Sequence, residues 1–360
     1  MNRIPFDMTE VENATESTGF MGMVIKTYET PITPKENYRL IYERKLPLWM
    51  PLSGDLRFFI PRVDPDNMAR CFIFEATMLE PDELVGGLDK FGVEWIYVPV
   101  AGGSMVNPGN PILEDVNDWK SIIKFPDIET WDWEGSKASN ADYVNTDKLI
   151  SFTILSGFFE RLISFMDFEN AVIALIDDDQ KVAVHELFSA LTDLYIRIID
   201  KYIECFPVDQ LQFHDDWGSQ RAPFFSLDTA REMIAPYLKR LTDHCHANGI
   251  FFDLHSCGKN DLLVPAYIEA GVDSWSGQNL NDKKTLYEKY GDRIILGIES
   301  ELPWIPGVTP EPEAAIAAAK RYVELYGSNY EKKPVILSGF GLSSEFLDTF
   351  YAESRKLLNP

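Results

Sequence analysis

Short runs of apolar residues alternate with longer amphipathic stretches along most of this 360-residue chain. The short runs are rich in β-branched and aromatic residues, which is typical of buried strands. They lie at 92–100, 149–155, 209–214, 249–255, 271–277, 292–298 and 333–339. The longer stretches carry apolar residues at helical intervals, as at Ile234, Leu238 and Leu241. They lie at 171–205, 229–247, 261–270, 283–290 and 310–326.

This alternation predicts a parallel sheet that is covered by helices. The sequence has no GxGxxG turn of the kind that marks a dinucleotide-binding fold, and its second half alternates tightly. We therefore predict an α/β fold, a (β/α)8 TIM barrel with an N-terminal extension. The expected division is an N-terminal arm and lead-in at 1–88, packed on the barrel, and the barrel itself at 89–360.

Charge and apolar content exclude two classes of partner. The net charge is −24, which repels the phosphate backbone of nucleic acids. No apolar run approaches the roughly 20 residues of a membrane span, and the first 20 residues lack the apolar core of a secretion signal. Four cysteines are scattered without the spacing of a disulfide framework. We expect a cytoplasmic protein that binds neither nucleic acid nor membrane.

Polar and titratable side chains follow three of the predicted strands. They are His214, Asp215, Asp216, His255, Cys257 and Glu299. In TIM barrels, the catalytic residues lie at the carboxyl ends of the strands, on the loops that lead into helices. The pattern therefore predicts one active site that is built from these strand ends.

The pair His255 and Cys257 indicates a metal site. Residues two apart on a strand share a face, and imidazole and thiolate are both good zinc ligands. A third ligand has to come from another strand, and Glu299 at the end of a neighbouring run is our candidate. The alternative is a buried thiol beside a hydrogen-bonded histidine.

The carboxylates are candidates for acid–base chemistry, together with His214 and Glu299. Asp215 and Asp216 are adjacent, so only one of them can readily face the site while the other caps a turn or pairs with Arg221. Carboxylates that are crowded in a water-poor site raise each other's pKa, which suits a general acid.

Several residues near the predicted strand ends could line a substrate pocket. Flat aromatic rings around a concave site would form apolar walls, and an amide would add a polar contact. The candidates are Trp95, Tyr97, Trp217, Gln220 and Phe340.

Two segments together resemble the uroporphyrinogen decarboxylase superfamily. The segment 213–258 begins FHDDWGSQRAPFF and ends FFDLHSCG, similar to the superfamily's D-D-x-G-x-Q and H-x-C-G strand ends. The segment 156–178, SGFFERLISFMDFENAVIALIDD, is similar to its G-P-F-x…G-F-E-N segment. The resemblance extends from about Arg39 to the C-terminus and implies a (β/α)8 barrel.

Two activities are known in that superfamily. Decarboxylases of uroporphyrinogen carry an Arg-rich R-Q-A-G-R stretch, which the corresponding region 46–59 lacks. The segment 91–136 is instead similar to the methyltransferase components of anaerobic O-demethylase systems. Those components take a methyl group from a methoxylated aromatic compound and pass it to cobalt on a separate corrinoid protein.

The resemblance also bears on the metal. Thiol-methylating members of the superfamily hold zinc with the His and Cys of H-x-C and a further Cys after the last strand. His255 and Cys257 match the first two positions, but Phe340 or Gly341 stands where the third falls. Either Glu299 or an aspartate completes a different site, or there is no metal and the carboxylates act as acids.

From the sequence, we predict a corrinoid-dependent methyltransferase. It would demethylate a small methoxylated, aromatic substrate and pass the methyl group to a corrinoid protein, with zinc as the metal of the site. One alternative is a decarboxylase like that of uroporphyrinogen, acting on a tetrapyrrole or other carboxylated ring, for which Arg57, Arg62 and Arg221 would supply cations. The other is a non-catalytic barrel that binds a corrinoid protein.

Overall fold

The strands of this protein alternate with helices from Leu149 onward, as the hydrophobic pattern predicts. The computed structural model describes residues 3–19, 23–100, 102–302, 305, 308–339 and 341–359. Within these ranges, no helix is both long enough and apolar enough to cross a membrane. The chain forms two units. The central unit comprises Phe58–Thr146 and Ile150–Val272, and the terminal unit comprises Met1–Arg57, Asp147–Leu149 and Asp273–Pro360.

The strands are short, whereas the helices range from single turns to one of 25 residues. The strands are β1 (Thr15–Thr18), β2 (Val24–Thr27), β3 (Leu56–Phe59), β4 (Gly86–Leu88), β5 (Glu94–Val98), β6 (Gly103–Val106), β7 (Leu149–Ile154), β8 (Gln210–His214), β9 (Phe251–Ser256), β10 (Ser274–Gly277), β11 (Ile295–Glu299) and β12 (Val335–Ser338). The helices are α1 (Thr9–Glu12), α2 (Pro34–Tyr42), α3 (Pro65–Ala69), α4 (Trp119–Ile122), α5 (Trp133–Ser139), α6 (Ala141–Val144), α7 (Phe158–Ala174), α8 (Lys181–Cys205), α9 (Leu227–Met233), α10 (Ala235–Ala247), α11 (Val264–Glu269), α12 (Lys283–Tyr290), α13 (Pro312–Gly327) and α14 (Ser344–Leu358).

Three parallel strands position the site in the central unit. Strand β8 lies between β7 and β9, with Ile154 opposite Phe213 and His214 opposite His255. Every residue of β7 is buried, as expected for a parallel strand that is covered on both faces. Because the strands run the same way and in register, the segments that follow them emerge side by side.

The terminal unit contains a second set of parallel strands. Strand β11 pairs with β10 and with β12, and the register places Glu299 opposite Ser338. Helices α13 and α14 carry buried apolar residues on one face, including Tyr322 and Phe350, whose rings pack edge to face. From β10 to β12, the order of strands and helices is the one that the sequence predicts, whereas α14 was not predicted.

The predicted run 92–100 is not part of the parallel sheet. Its strand, β5, pairs antiparallel with β4 and β6 in a separate sheet of three strands. Along β5, Glu94 and Ile96 are exposed while Trp95 is buried. This alternation is typical of an antiparallel strand with one covered face, so inclusion of this run in the parallel sheet was wrong.

Two predicted helices are each interrupted. The stretch 171–205 contains the end of α7 and all of α8, separated at the acidic residues Asp177–Asp179. The stretch 229–247 is divided between α9 and α10 at Ile234, two residues before Pro236. A proline lacks the amide hydrogen and clashes with the preceding turn, which explains the second interruption.

The N-terminal segment is bound to the C-terminal helix of the same unit. The Glu10 carboxylate is buried and accepts hydrogen bonds from Arg355 at 2.7 and 2.8 Å and from the Tyr351 hydroxyl at 2.6 Å. The rings of Tyr28 and Tyr351 stack at 4.1 Å. These contacts attach residues that the hydrophobic pattern alone left unassigned.

A buried ion network ties the segment after β3 to α7 in the central unit. The Arg161 guanidinium contacts Asp66 and Asp89, each at 2.5 Å. The Lys90 ammonium lies 2.7 Å from Asp64 and 3.3 Å from Asp66. Two cations therefore share three carboxylates without access to water, and the network joins α7 to the segments that carry Asp66 and Asp89.

Candidate active site

The two histidines at the ends of β8 and β9 lie side by side in the site. His214 and His255 are register neighbours, and their rings stack with centroids 4.4 Å apart and planes at 29°. The parallel register brings these side chains together, because paired residues of adjacent strands point to the same face.

Three side chains at the carboxyl ends of β8 and β9 form a candidate metal-binding group. Asp216, His255 and Cys257 each offer one ligand atom, and these atoms lie within 4.8 Å of one another. Nε2 of His255 is 3.3 Å from Sγ of Cys257, and the Cys257 amide donates to Oδ1 of Asp216 at 2.6 Å. All three residues are half-buried. In the described part of the chain, no other group of three such side chains is arranged to hold a metal ion.

The backbone that carries this group depends on two glycines. Gly258 follows Cys257 and has a φ of +90°, which L-residues with side chains rarely adopt. A Cβ on Gly258 would also overlap the carbonyl group of Gly218. The close approach of these two turns explains the glycine in D-D-W-G and in H-S-C-G, and it sets the distance between Asp216 and Cys257.

The electrostatics of the group favour a cation. Burial raises the pKa of the Cys257 thiol, and the negative charge of the Asp216 carboxylate raises it further. A bound divalent cation would offset that repulsion and stabilise the thiolate. Imidazole nitrogen, thiolate sulfur and carboxylate oxygen are the ligands of zinc sites, so the donor set fits zinc.

Asp215 points away from this group. Its Oδ2 accepts from the amides of Phe158 at 3.0 Å and Phe159 at 3.2 Å, and its Oδ1 from that of Glu160 at 2.9 Å. Amides in the first turn of a helix have no carbonyl partner within the helix. Asp215, which belongs to another segment, accepts their hydrogen bonds and so caps α7. Burial raises the pKa of Asp215 to about 6, against the lowering effect of the amide hydrogen bonds.

We expect Asp215→Ala to lower the free energy of unfolding by about 1–3 kcal/mol, because two buried amides and one partly buried amide lose their acceptor. Urea unfolding followed by far-ultraviolet circular dichroism measures this change. Asp228→Ala is the matched control, since Asp228 is an exposed aspartate in the first turn of α9. Its expected effect is within about 0.5 kcal/mol. Equal effects of the two replacements would contradict the capping role.

His214 lies at the end of a hydrogen-bonded chain. The Gln212 amide donates to Asp253 at 3.0 Å, so its oxygen accepts from Nε2 of His214 at 3.1 Å. Burial lowers the pKa of His214 well below its usual value, and His255 and Arg70 lower it further. The ring is therefore neutral at pH 7, and its one proton is engaged by Gln212.

Sequence reasoning missed two residues of the site, Arg70 and Glu160. The Arg70 guanidinium donates to Oε1 of Glu160 at 3.2 Å, and it lies 4.5 Å from the centroid of the Trp95 ring. Glu160 lies close enough to Asp216 and Cys257 for its charge to influence both. Arg70 and Glu160 are 90 residues apart, so no local pattern in the sequence could join them.

The predicted pocket residues occupy different environments. Trp95 is buried, with its indole donating to Asp89 at 2.9 Å, and Tyr97 on the same face of β5 is half-buried. Trp217 is completely buried between Phe225 and Tyr267. Gln220 is exposed.

The remaining two predicted residues lie elsewhere in the chain. Glu299 ends β11 in the terminal unit, 3.8 Å from the buried ammonium of Lys283. Its assignment as metal ligand and acid stays a prediction. Phe340 lies outside the described residues.

Comparison with known proteins bears on the fold. The chain matches no known protein-family model. It matches none of the curated proteins either. Among solved structures, it is similar to a methyltransferase from Methanosarcina mazei, at 15% identity and a TM-score of 0.58, covering 90% of this chain and 98% of that one.

Two further solved structures are too dissimilar to this chain to support a conclusion. A dihydropteroate synthase from Xanthomonas albilineans matches at 13% identity and a TM-score of 0.27, over 48% of this chain and 60% of that one. The IOLI protein, whose structure holds a zinc atom, matches at 11% identity and a TM-score of 0.29, over 64% and 80%. Together with the parallel strands and alternating helices, the likeness to the methyltransferase structure confirms the predicted α/β fold of the TIM-barrel type.

Proposed function

We propose that this protein is a corrinoid-dependent methyltransferase that demethylates a small methoxylated substrate. The observation that carries the proposal is the group formed by Asp216, His255 and Cys257 at the ends of two parallel strands. The similarity of the fold to a methyltransferase and the resemblance of segment 91–136 to O-demethylase components support it.

In this proposal, Asp216, His255 and Cys257 hold a zinc ion. Three protein ligands leave one position of a tetrahedral ion open, which distinguishes catalytic zinc sites from structural ones. When bound, the ion supplies Lewis acidity to an oxygen of the substrate. The third ligand is then Asp216, which follows the strand next to that of His255. The sequence suggested Glu299 as an alternative third ligand.

The chain's own residues position the substrate and the ligands. The Asp216 carboxylate accepts from the Cys257 amide, which fixes the orientation of both ligands. The neutral ring of His214 stacks on His255 and restricts its rotation. Arg70 brings Glu160 to the edge of the group. The methyl acceptor is a cobalt(I) corrinoid carried by a partner protein, and no nucleic acid or membrane takes part.

The cations of the central unit favour methyl transfer over decarboxylation of a carboxylated ring. The Arg62 guanidinium is engaged by the Glu75 carboxylate and by the carbonyl groups of Thr77 and Met78. Arg221 is exposed. Arg70 is paired with Glu160. Arg62 and Arg70 are therefore each engaged by a carboxyl group of the protein, and Arg221 is in contact with solvent.

The proposal is tested by anaerobic incubation with a corrinoid protein reduced to cobalt(I) and a panel of methoxyarenes of the guaiacol type. We expect the absorption spectrum of methylcobalt to appear with at least one donor, with one demethylated product for each methyl group transferred. His255→Ala is expected to abolish the signal. A complete absence of methylcobalt with every donor, or unchanged turnover in His255→Ala, would refute the proposal.

A further inference from the structure

A cavity of about 560 Å³ lies in the central unit, and none of its described lining residues belongs to the metal-binding group. One wall comes from the segment that follows β3 and includes Arg62, Glu75 and Thr77. The other wall comes from the segment 131–140, which contains α5. Sites for small molecules typically have volumes of about 300–1,000 Å³, so this cavity is large enough for a ligand of its own.

Buried polar side chains fasten the two walls to each other. The Glu75 carboxylate binds the Arg62 guanidinium and accepts from the Asn140 side-chain amide at 3.3 Å. The oxygen of the same Asn140 amide accepts from the backbone amide of Ala76 at 2.9 Å. Glu75 is 7% exposed and Asn140 1%. The walls are therefore fixed before a ligand binds, which reduces the entropy that binding has to cost.

The Arg62 guanidinium offers hydrogen-bond donors that the protein does not use. Nη1 donates to Glu75 and to the carbonyl oxygen of Thr77 at 2.7 Å, and Nη2 donates to that of Met78 at 3.3 Å. These bonds leave the Nε–H group and one hydrogen of Nη2 without an acceptor among the described residues. The side chain is 31% exposed, so a ligand can reach it.

Trp131 and several hydroxyl groups complete the lining. The Trp131 ring is half-buried, and the buried ammonium of Lys90 lies over it, 5.7 Å from the ring centroid. Such a flat ring is an apolar surface against which the C–H groups of another ring can pack. Thr77, Ser136 and Ser139 add hydroxyl groups, each of which can both donate and accept a hydrogen bond.

The charges of the lining favour an uncharged ligand. Glu75 already neutralises Arg62, and Asp132 adds a carboxylate. Oδ1 of Asp132 accepts from the Gly135 amide at 2.9 Å, which leaves Oδ2 as a further acceptor. The carboxylates repel an anion and the guanidinium repels a cation. A wholly apolar molecule would leave the polar groups of the walls without partners, which costs free energy.

We propose that this cavity binds a neutral sugar of monosaccharide or disaccharide size. The C–H face of a sugar ring would pack on Trp131, and its hydroxyl groups would bond to Arg62, Asp132 and the serine and threonine hydroxyls. This binding site is additional to the proposed methyl transfer, and it needs neither a metal ion nor a corrinoid partner.

The test is isothermal titration calorimetry of the full-length protein with glucose, maltose, cellobiose and lactose. We expect at least one of these sugars to bind with a dissociation constant of about 1 mM or lower. Trp131→Ala should weaken the binding of that sugar by more than about 10-fold, and Trp131→Phe, which keeps a flat ring, should weaken it less. Arg62→Lys keeps a cation beside Glu75 but lacks the free guanidinium N–H groups, and should cost about 10-fold.

Matched variants separate loss of the site from loss of the fold. Phe168→Ala replaces an exposed aromatic residue outside the cavity, and Arg197→Lys replaces an arginine that is paired with a carboxylate on the surface. Both should bind the sugar as the wild-type protein does. Ser136→Leu fills part of the cavity but leaves the pairing of Arg62 with Glu75 in place, and it should abolish binding. Urea unfolding shows whether each variant is folded.

Three results would overturn the proposal. The first is that none of the sugars binds to the wild-type protein at concentrations far above 1 mM, taken as the weak limit of about −4 kcal/mol. The second is sugar binding that is unchanged in both Trp131→Ala and Ser136→Leu, which would place the sugar elsewhere. The third is that benzoate, tetramethylammonium or phenol binds in a manner that depends on Trp131 while no sugar binds, which would assign the cavity to another class of ligand.

Discussion

The Cys257→Ala protein is expected to be isolated without zinc, whereas we expect the wild-type protein to carry about one zinc ion per chain. Cys257 supplies the sulfur of a group whose ligand atoms lie within 4.8 Å of one another, and its amide also orients Asp216. Loss of an outer-shell partner typically costs 10–100-fold in metal affinity, and loss of a ligand should cost more than about 100-fold. Plasma emission spectrometry and competition with a zinc-binding dye measure the two quantities.

A matched cysteine controls for the loss of a buried thiol. Cys205 ends α8 and is buried, but it does not belong to the metal-binding group. Cys205→Ala should therefore keep its zinc. If Cys257→Ala bound zinc with wild-type affinity, the group of Asp216, His255 and Cys257 would not be a metal site. The same would follow if the wild-type protein bound no metal.

Two further replacements in the same experiment distinguish between Asp216 and Glu299 as the third ligand. We expect Asp216→Asn to lose most of its zinc affinity, because the amide oxygen is a weaker ligand than the carboxylate. We expect Glu299→Gln to keep it. The reverse pattern would assign the third position to Glu299, as the sequence alone suggested, and would contradict the role of Asp216.

The strands could be predicted from sequence because buried parallel strands have a strong local signature. The runs that became β7 and β11 are mostly apolar, and those that became β8 and β9 combine buried apolar residues with polar ones. The polar residues that were singled out lie at or just beyond the ends of β8, β9 and β11. The run at β5 was assigned to the wrong sheet, although the exposed Glu94 beside the buried Trp95 already showed the alternation of a strand with one covered face.

The site could be predicted only in part. The spacing of residues along one strand can be read from the sequence, whereas contacts between side chains that are distant in the sequence cannot. The spacing of His255 and Cys257 placed both on one face. Adjacent aspartates leave the choice between Asp215 and Asp216 open until α7 is in place, since its amides engage Asp215. The sequence did not mark Glu160 as a site residue. Burial raises its pKa and Arg70 binds its carboxyl group, and neither effect can be read from neighbouring residues in the sequence.

The largest loss of stability is expected for Arg161→Met. Arg161 is completely buried and its guanidinium contacts Asp66 and Asp89. Methionine fills a similar volume but leaves Asp89 without its cation and Asp66 with only Lys90. Removal of one partner from a buried ion pair typically costs 3–5 kcal/mol, because the remaining charge is neither hydrated nor paired. We expect the free energy of unfolding in urea to fall by about that amount.

An exposed arginine provides the control for this prediction. Arg197 on α8 lies 3.4 Å from Glu129, with both side chains about half exposed. Arg197→Met should cost less than about 1 kcal/mol, since water solvates the carboxylate that remains. If uncompensated charge is the cause, adding Asp66→Asn and Asp89→Asn to Arg161→Met should recover part of the loss. A triple variant that is less stable than Arg161→Met would contradict this explanation, and would assign the contribution of Arg161 to its packing against the rings of Phe91 and Phe165.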